Sequence, residues 1–339
     1  MELNELSVRH KITRISFFCC LLVIWVHTYN LDVCGITDQS AGFSHAVYLL
    51  ENLWGNLAGT AVPFFFFLSG YLFYRTFRMD KLREKYISRI HSILIPYLLW
   101  CTIYFLFFAL LVSIPYTRDQ IDPAALNITV SFYGWLRSLW PDEYYTLWFL
   151  KELLLYILFC PLIWYVLKNR YTGGVVIVVL MFIDLAGIYP IPLDGIHYYL
   201  TGAYLAIHLK GYEYYRNPVL TWLGCLYILS MAVTGFRELD QLPVRLFFFF
   251  SVWFALDLLP AGRIPPWWMS LTFFIYVAHD LVLECLEKLF FLAFGTGPVC
   301  ALADYVFMPV ITVFLLVCIA WAAKKKIPRI FMILTGMRG

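Results

Sequence analysis

The stretch of this chain best suited to chemistry is a long apolar run that carries one histidine. It reads RISFFCCLLVIWVH from Arg14 to His27 and continues through Thr28, Tyr29 and Asn30. An ionisable side chain is costly to bury in a membrane, so its presence within a span indicates a functional site. His27 is therefore a candidate for proton transfer. The alternative is a histidine that only hydrogen-bonds to a neighbouring helix.

A second histidine, His279, lies in another apolar segment near the end of the chain. Tyr276 and Asp280 are four positions apart and share one helical face, and Glu284 follows on that face. Glu284 and Lys288 have the spacing of a neutralised ion pair. His279 either belongs to a functional site or only forms a structural hydrogen bond, and the sequence leaves both interpretations open.

Cations concentrate after the second apolar run. They are Arg75, Arg78, Lys81, Arg83, Lys85 and Arg89. Arg75 and Arg78 are three positions apart and share a helical face. Such a cluster fixes the orientation of a membrane protein, or it binds a polyanionic ligand, because arginine presents a planar fork to phosphate. Composition alone favours the first reading.

The elements that position these residues must be membrane helices. The chain has 339 residues, of which 62% are hydrophobic and 14% charged. A soluble domain is about half apolar and about a quarter charged. The net charge of +3 is too small for a nucleic-acid-binding footprint. The nine cysteines form no zinc or disulfide pattern, and we predict no metal site. A bridge between Cys34 and Cys300 is possible but not expected.

We predict an all-α polytopic membrane protein, a bundle of about ten transmembrane helices in a single domain spanning residues 1–339. The predicted spans are 15–33, 57–76, 89–114, 146–167, 172–189, 193–209, 218–235, 243–259, 267–294 and 299–323. The fifth to eighth are short for a full crossing. His27 would lie roughly 18 Å into its span, near the middle of the membrane.

Charge sets the expected orientation. With both termini in the cytosol, most lysines and arginines fall on the cytosolic side, as the positive-inside rule requires. The outer segments then hold Arg118, Arg137, Arg237 and Arg245. Glu51 would lie in the first outer loop, between the first two spans.

The ordered motifs resemble the acyltransferase-3 family of membrane acyltransferases. The matching motifs, in chain order, are IWVHTYN, VPFFFFLSGYLFYR, SRIHSILIPYLLW, LWFLKELLLY, YYLTGAYLA and SLTFFIYVAHDLVL. Each motif is weak alone, but their order across nearly the whole chain is specific. The resemblance implies a bundle of about ten transmembrane helices. It also implies transfer of an acyl group, usually acetyl, from acyl-CoA to a hydroxyl of a carbohydrate or other molecule.

The resemblance also assigns residues. The family's first-span motif is an arginine, ten intervening residues and a histidine, which His27 matches. Ser16 occupies the arginine position. Arg14 stands thirteen positions before His27, which at about 100° per residue places it about 140° around the helix. The resemblance implies CoA phosphate binding by Arg89, with Arg75 and Arg78 as further candidates and Arg14 as a weaker one.

The remaining implied site residues lie in later motifs. Trp148 and Glu152 belong to LWFLKEL, and Glu152 is a candidate to orient His27. Tyr276, His279 and Asp280 belong to the late motif.

The expected mechanism uses His27 as general base, or as the carrier of an acyl-histidine intermediate. Acyl-CoA is then a substrate rather than a resident cofactor. The resemblance implies a bacterial inner membrane and a cell-surface glycan as acceptor. Two alternatives use the same buried polar residues: a transporter or flippase of a glycan or lipid-linked intermediate, and a scaffold or sensor with a degenerate site.

Overall fold

The computed structural model describes residues 2–28, 30–31, 33–36, 42–114, 130–139, 145–187, 195–259 and 264–337. Within these residues it is helical and contains no strand, which confirms the all-α class. The α-helices are α1 Glu2–His27, α2 Gly42–Ala58, α3 Ala61–Arg75, α4 Leu82–Arg89, α5 Ile95–Ser113, α6 Phe132–Ser138, α7 Trp148–Leu158, α8 Cys160–Leu167, α9 Arg170–Leu185, α10 Ile196–His208, α11 Pro218–Val233, α12 Leu242–Ala255, α13 Thr272–Phe294, α14 Pro298–Lys326 and α15 Pro328–Leu334.

A helix stands at every predicted span, but not every helix is long enough to cross a membrane. Five helical segments in the described part are long and apolar enough to do so: Glu5–His27, Gly42–Arg75, Met79–Ser113, Trp267–Phe294 and Pro298–Lys326. Helices α7 and α8 make a sixth if their pair, bent by 66°, counts as one span. The protein is therefore a membrane protein, while the count of ten and the side on which the termini lie remain predictions.

Two expectations about the first loop were wrong. Glu51 lies in α2 and is buried, not in an outer loop. The polar residues of this helix resemble those of a loop in the sequence, yet its buried face includes Val47 and Glu51, one turn apart. Helix α1 ends at His27 instead of continuing to residue 33. The side chain of Thr28 donates a hydrogen bond to the carbonyl of Trp25 (2.8 Å), competing with the backbone for that acceptor.

The helices form two compact units. One contains Met1–Thr76 and Ile163–Ile319, and the other contains Phe77–Leu162 and Ala320–Gly339. The single domain over residues 1–339 remains a prediction.

In the first unit, α3 and α10 pack with their backbones in contact. A Cβ atom on Gly70 would lie 2.0 Å from the carbonyl oxygen of Tyr199, and one on Gly202 would lie 2.0 Å from that of Phe67. Glycine at these two positions is what allows the close approach. Gly70, in the motif VPFFFFLSGYLFYR, therefore serves helix packing.

Helices α1 and α13 of the same unit run parallel. The Phe17 and Trp268 rings lie 4.9 Å apart, edge to face, and the Cys20 thiol reaches the carbonyl of Thr272 at 3.5 Å. The sequence offset between the partners is nearly constant, so the two helices keep one register along their length. This register carries on towards the C-terminal end of α1, where His27 lies.

In the second unit, five residues of π-helix, Ile90–Leu94, connect α4 to α5. Pro96 follows and has no backbone N–H to donate to the carbonyl of Ser92. Gly336, in the left-handed region at φ 64°, packs so closely there that a Cβ atom would lie 2.2 Å from that carbonyl oxygen. Arg89 is the last residue of α4, directly before the π-helix.

Candidate active site

The two histidines singled out in the sequence meet in the structure. The ring centroids of His27 and His279 lie 5.2 Å apart, with an angle of 50° between the ring planes. Both belong to the first unit, at the position where the α1–α13 register brings them side by side. The Tyr276 ring lies 6.2 Å from that of His279. Of the predicted site residues, these three are brought together.

The hydrogen bond of His279 fixes which of its ring nitrogens carries the proton. Its Nδ1 lies 2.6 Å from the carbonyl oxygen of Tyr276. A carbonyl can only accept, so Nδ1 must be the donor and the neutral ring presents a lone pair at Nε2. His279 is fully buried, and no hydrogen-bond donor in the described part of the chain reaches Nε2. The ring thus offers a basic nitrogen in the neighbourhood of His27.

Three carboxyl groups of α13, those of Asp280, Glu284 and Glu287, interact with His27 or with one another. Glu284 interacts electrostatically with His27. Asp280 and Glu287 are half-buried and interact with Glu284 and with each other. Lys288 donates to Glu284 at 3.0 Å, which confirms the predicted pair.

Asn30, in the segment after α1, forms a buried cluster with Glu51 of α2 and Asp304 of α14. We call this group the Asn30 cluster. The side-chain amide of Asn30 donates to Asp304 Oδ2 at 2.8 Å and to the carbonyl of Ala301 at 3.1 Å. Its backbone N–H donates to Glu51 Oε1 at 3.2 Å. All three residues are at most 3% exposed. The cluster ties the segment after α1 to α2 and α14.

Metal binding has no support in the described part of the chain, where no group of three histidine, cysteine or acidic side chains is placed to hold an ion. Cys34 and Cys300 are both free thiols.

Arg75 binds other residues of the protein. Its guanidinium donates to Glu5 (3.1 and 2.5 Å), to Glu213 (3.0 Å) and to the hydroxyl of Tyr214 (2.6 Å). The Tyr214 hydroxyl in turn donates to Glu5 at 2.6 Å, which raises the pKa of Tyr214. This Arg75 network joins the start of α1, the end of α3 and the segment after α10. A phosphate would have to compete with two carboxylates for Arg75.

The other predicted cations of the phosphate site have different surroundings. Arg78 is exposed and forms a bidentate pair with Asp80 at 3.1 and 2.8 Å. Arg14 is half-buried in the middle of α1. Arg89 is half-buried on α4, where Lys85, one turn earlier, is close enough for the two charges to repel. Two half-buried cations side by side are the arrangement that an anion stabilises.

Glu152 and Trp148 lie on α7, in the second unit. Glu152 is buried and accepts a hydrogen bond from Tyr156 at 2.5 Å, one turn away on the same helix. Trp148 is half-buried. The proposed orientation of His27 by Glu152 remains a prediction.

The first unit also contains an apolar cavity of about 360 Å³. Its lining comes from α3, α10, the segment after α10, α11 and α12, and every lining side chain except Glu213 is aromatic or aliphatic. The first unit also contains a buried ion pair between Lys11 and Asp257, at 2.7 Å. The guanidinium of Arg216 approaches the same carboxylate at 3.4 Å.

Sequence reasoning missed the Asn30 cluster and Glu287. In the sequence Asn30 marks only the end of the first apolar run, and no motif singles out Asp304. The available signal was the cost of burying such groups: an acid within a predicted span demands a partner from another helix. The identity of that partner depends on helix packing, which the sequence does not give.

Comparison with known families agrees with this architecture. A family model described as an acyltransferase domain, that of the acyltransferase-3 family, matches residues 14–324. The chain therefore belongs to the acyltransferase-3 family, and the expected resemblance is confirmed. No curated protein and no solved structure matches the chain.

Proposed function

We propose that this protein transfers an acyl group, acetyl in the simplest case, from acyl-CoA to a hydroxyl of a carbohydrate, with His27 as the general base. The observation that carries the proposal is the pairing of His27 with the buried His279 in a member of an acyltransferase family. Acid–base catalysis needs a base within reach of the proton that it removes, and imidazole is the side chain most often used.

The proposed reaction balances as follows. The acceptor hydroxyl attacks the thioester carbonyl while His27 takes the hydroxyl proton. The carbon–oxygen bond forms, the carbon–sulfur bond breaks, and the proton passes from His27 to the departing CoA thiolate. His279, held by Tyr276, supports the imidazolium that forms on His27, because its Nε2 can accept a hydrogen bond from it. Such assistance by a general base contributes about 10²- to 10⁴-fold in rate.

The donor site is proposed on the predicted cations of α4. Lys85 and Arg89 are adjacent, half-buried and of like charge, and the phosphates of CoA would relieve their repulsion. Arg75 is a less suitable ligand because Glu5 and Glu213 already bind it. We place the protein in a bacterial inner membrane, with a cell-surface glycan as the acceptor.

The function can be tested with purified protein in proteoliposomes. Label from [¹⁴C]acetyl-CoA is expected to appear on an added oligosaccharide as an alkali-labile ester. Accumulation of the oligosaccharide inside the vesicles without ester formation would instead indicate a transporter. Absence of both would overturn the proposal, provided that the protein is folded in the vesicles.

A further inference from the structure

Four buried hydrogen-bond acceptors lie in the segment after α1 and on α13 and α14. They are Asn30 Oδ1, His279 Nε2, Glu287 Oε1 and Asp304 Oδ1, and no donor in the described part of the chain reaches any of them. His279 and Asp304 are 0% exposed and Asn30 is 3% exposed. A buried polar atom left without a hydrogen-bond partner destabilises the folded protein. Several such atoms in one region indicate a donor group that the described part of the chain does not supply.

A chain of interactions links these acceptors to the histidine pair. Asn30 is hydrogen-bonded to Asp304, and Asp304 interacts electrostatically with Glu287 across α13 and α14. Glu287 interacts with Glu284, which in turn interacts with His27. The orientation of the Asn30 amide is well determined, because its nitrogen faces two acceptors, Asp304 Oδ2 and the carbonyl of Ala301.

The chemistry of the missing partner follows from the atoms that lack one. Asn30 Oδ1 and His279 Nε2 can only accept, and the Glu287 and Asp304 oxygens accept when ionised, so a ligand that donates hydrogen bonds can satisfy all four. Hydroxyl and ammonium groups donate, whereas phosphate and carboxylate groups only accept at neutral pH. A polyol has several hydroxyls and can satisfy several of these acceptors at once.

Charge leads to the same class of ligand. The charges of Asp280, Glu284 and Asp304 act on a fourth carboxyl group, that of Glu287, and Glu284 also interacts with His27. The ammonium of Lys288 is paired with Glu284, and its charge also acts on Asp280 and Glu287. One cation cannot offset four carboxyl groups and an additional anion in a poorly solvated region. An amino group would be favoured there, and a uronate or phosphate would be repelled.

An aromatic surface lies beside the cluster. The rings of Trp25 and Trp54 stack with centroids 6.1 Å apart, and Trp54 is 41% exposed. Trp25 donates to the carbonyl of Tyr305, next to Asp304 in α14. An exposed indole face next to polar groups suits a ligand with apolar and hydroxylated faces.

From this arrangement we infer that the acyl acceptor is a neutral or amino-bearing carbohydrate rather than an acidic one, and that Asn30, Glu287 and Asp304 bind its donor groups. This inference rests on the proposed function and narrows it to one class of acceptor.

Three acceptors of equal length test the inference: cellotetraose, a chitosan tetramer and tetragalacturonate. In proteoliposomes supplied with [¹⁴C]acetyl-CoA, kcat/KM for the neutral or the amino acceptor is expected to exceed that for the uronate at least tenfold. Asp304→Asn and, independently, Glu287→Gln should reduce this ratio at least threefold. Glu238→Gln removes an exposed carboxylate in the segment before α12 and should leave the ratio unchanged.

Equal transfer to the uronate by the wild-type protein would overturn this inference and leave the proposed function standing. A ratio that neither variant alters would also overturn it. If the wild-type protein acylates none of the three acceptors and no extracted glycan, the proposed function falls and the inference falls with it. Measuring two variants guards against loss of folding in one of them, since each is scored by a ratio within the same protein.

Discussion

Nδ1 of His279 lies 2.6 Å from the carbonyl oxygen of Tyr276, and the ring faces His27 with a centroid distance of 5.2 Å. The backbone of α13 thus fixes the tautomer of a buried imidazole that lies beside a second imidazole. In the proposed mechanism, a neutral acceptor at this position stabilises the positive charge that forms transiently on His27. His279 is in this view a positioning residue.

Replacing His279 by alanine should lower kcat for acyl transfer by about ten- to a hundredfold, the range expected when a hydrogen bond to a charged group is lost. The KM for acyl-CoA should change less than twofold, because the substitution removes no group that is proposed to bind CoA. Steady-state kinetics in proteoliposomes would measure both constants. His208→Ala removes a histidine that binds the carbonyl of Leu167, and it serves as the control. An unchanged kcat in folded His279→Ala protein would remove His279 from the mechanism.

Loss of Arg89 should weaken acyl-CoA binding, whereas loss of Arg75 should destabilise the folded protein. Arg89→Ala should raise the KM for acyl-CoA at least tenfold with a smaller change in stability, because the lost charge is proposed to bind phosphate. Arg75→Ala should lower the free energy of unfolding by about 1.5–3 kcal/mol, since it breaks charged hydrogen bonds to Glu5 and Glu213.

Acyl-CoA titrations and thermal unfolding in detergent would separate these two effects. If the KM rises in Arg75→Ala and is unchanged in Arg89→Ala, the donor site has been placed on the wrong cation.

The contact between α3 and α10 should not tolerate a methyl group. Gly70→Ala would place a Cβ atom 2.0 Å from a backbone oxygen that cannot move without displacing α10. Overpacking of this kind costs about 1–3 kcal/mol and sometimes more. Gly174→Ala is the matched control, because its Cβ atom would meet only the Tyr204 hydroxyl, at 3.9 Å. Thermal unfolding would be measured for both variants, and equal melting temperatures would contradict the described packing.

Much of the fold could be predicted from the sequence, because membrane helices appear in it as long apolar runs. Every predicted span contains a helix, and the positions of His27 and His279 within apolar segments marked them as functional candidates. Helix α2 was missed because its polar residues resemble those of a loop, although it buries Glu51 among other helices. Hydropathy reports on exposure to lipid, and it cannot report on polar groups that helices bury against each other.

Which residues meet in the site depends on helix packing, and no local sequence pattern specifies that packing. His27 and His279 are brought together by the register of α1 and α13, which starts with the Phe17–Trp268 contact two turns or more away. The resemblance makes Arg75 a candidate phosphate ligand, but its partners in the structure lie at the start of α1 and after α10, where no local sequence pattern indicates them. Asn30 and Asp304, remote in sequence, are likewise joined only by the packing of α14.

The central claim is that His27 performs the acid–base chemistry, and one comparison tests it most directly. Wild-type protein, His27→Ala and His10→Ala, a second buried histidine on α1, would be reconstituted at equal amounts and supplied with [¹⁴C]acetyl-CoA and acceptor. Transfer by His27→Ala should fall by about 10²- to 10⁴-fold while His10→Ala keeps activity near that of the wild type. Persistent transfer by folded, membrane-inserted His27→Ala protein would contradict the mechanism.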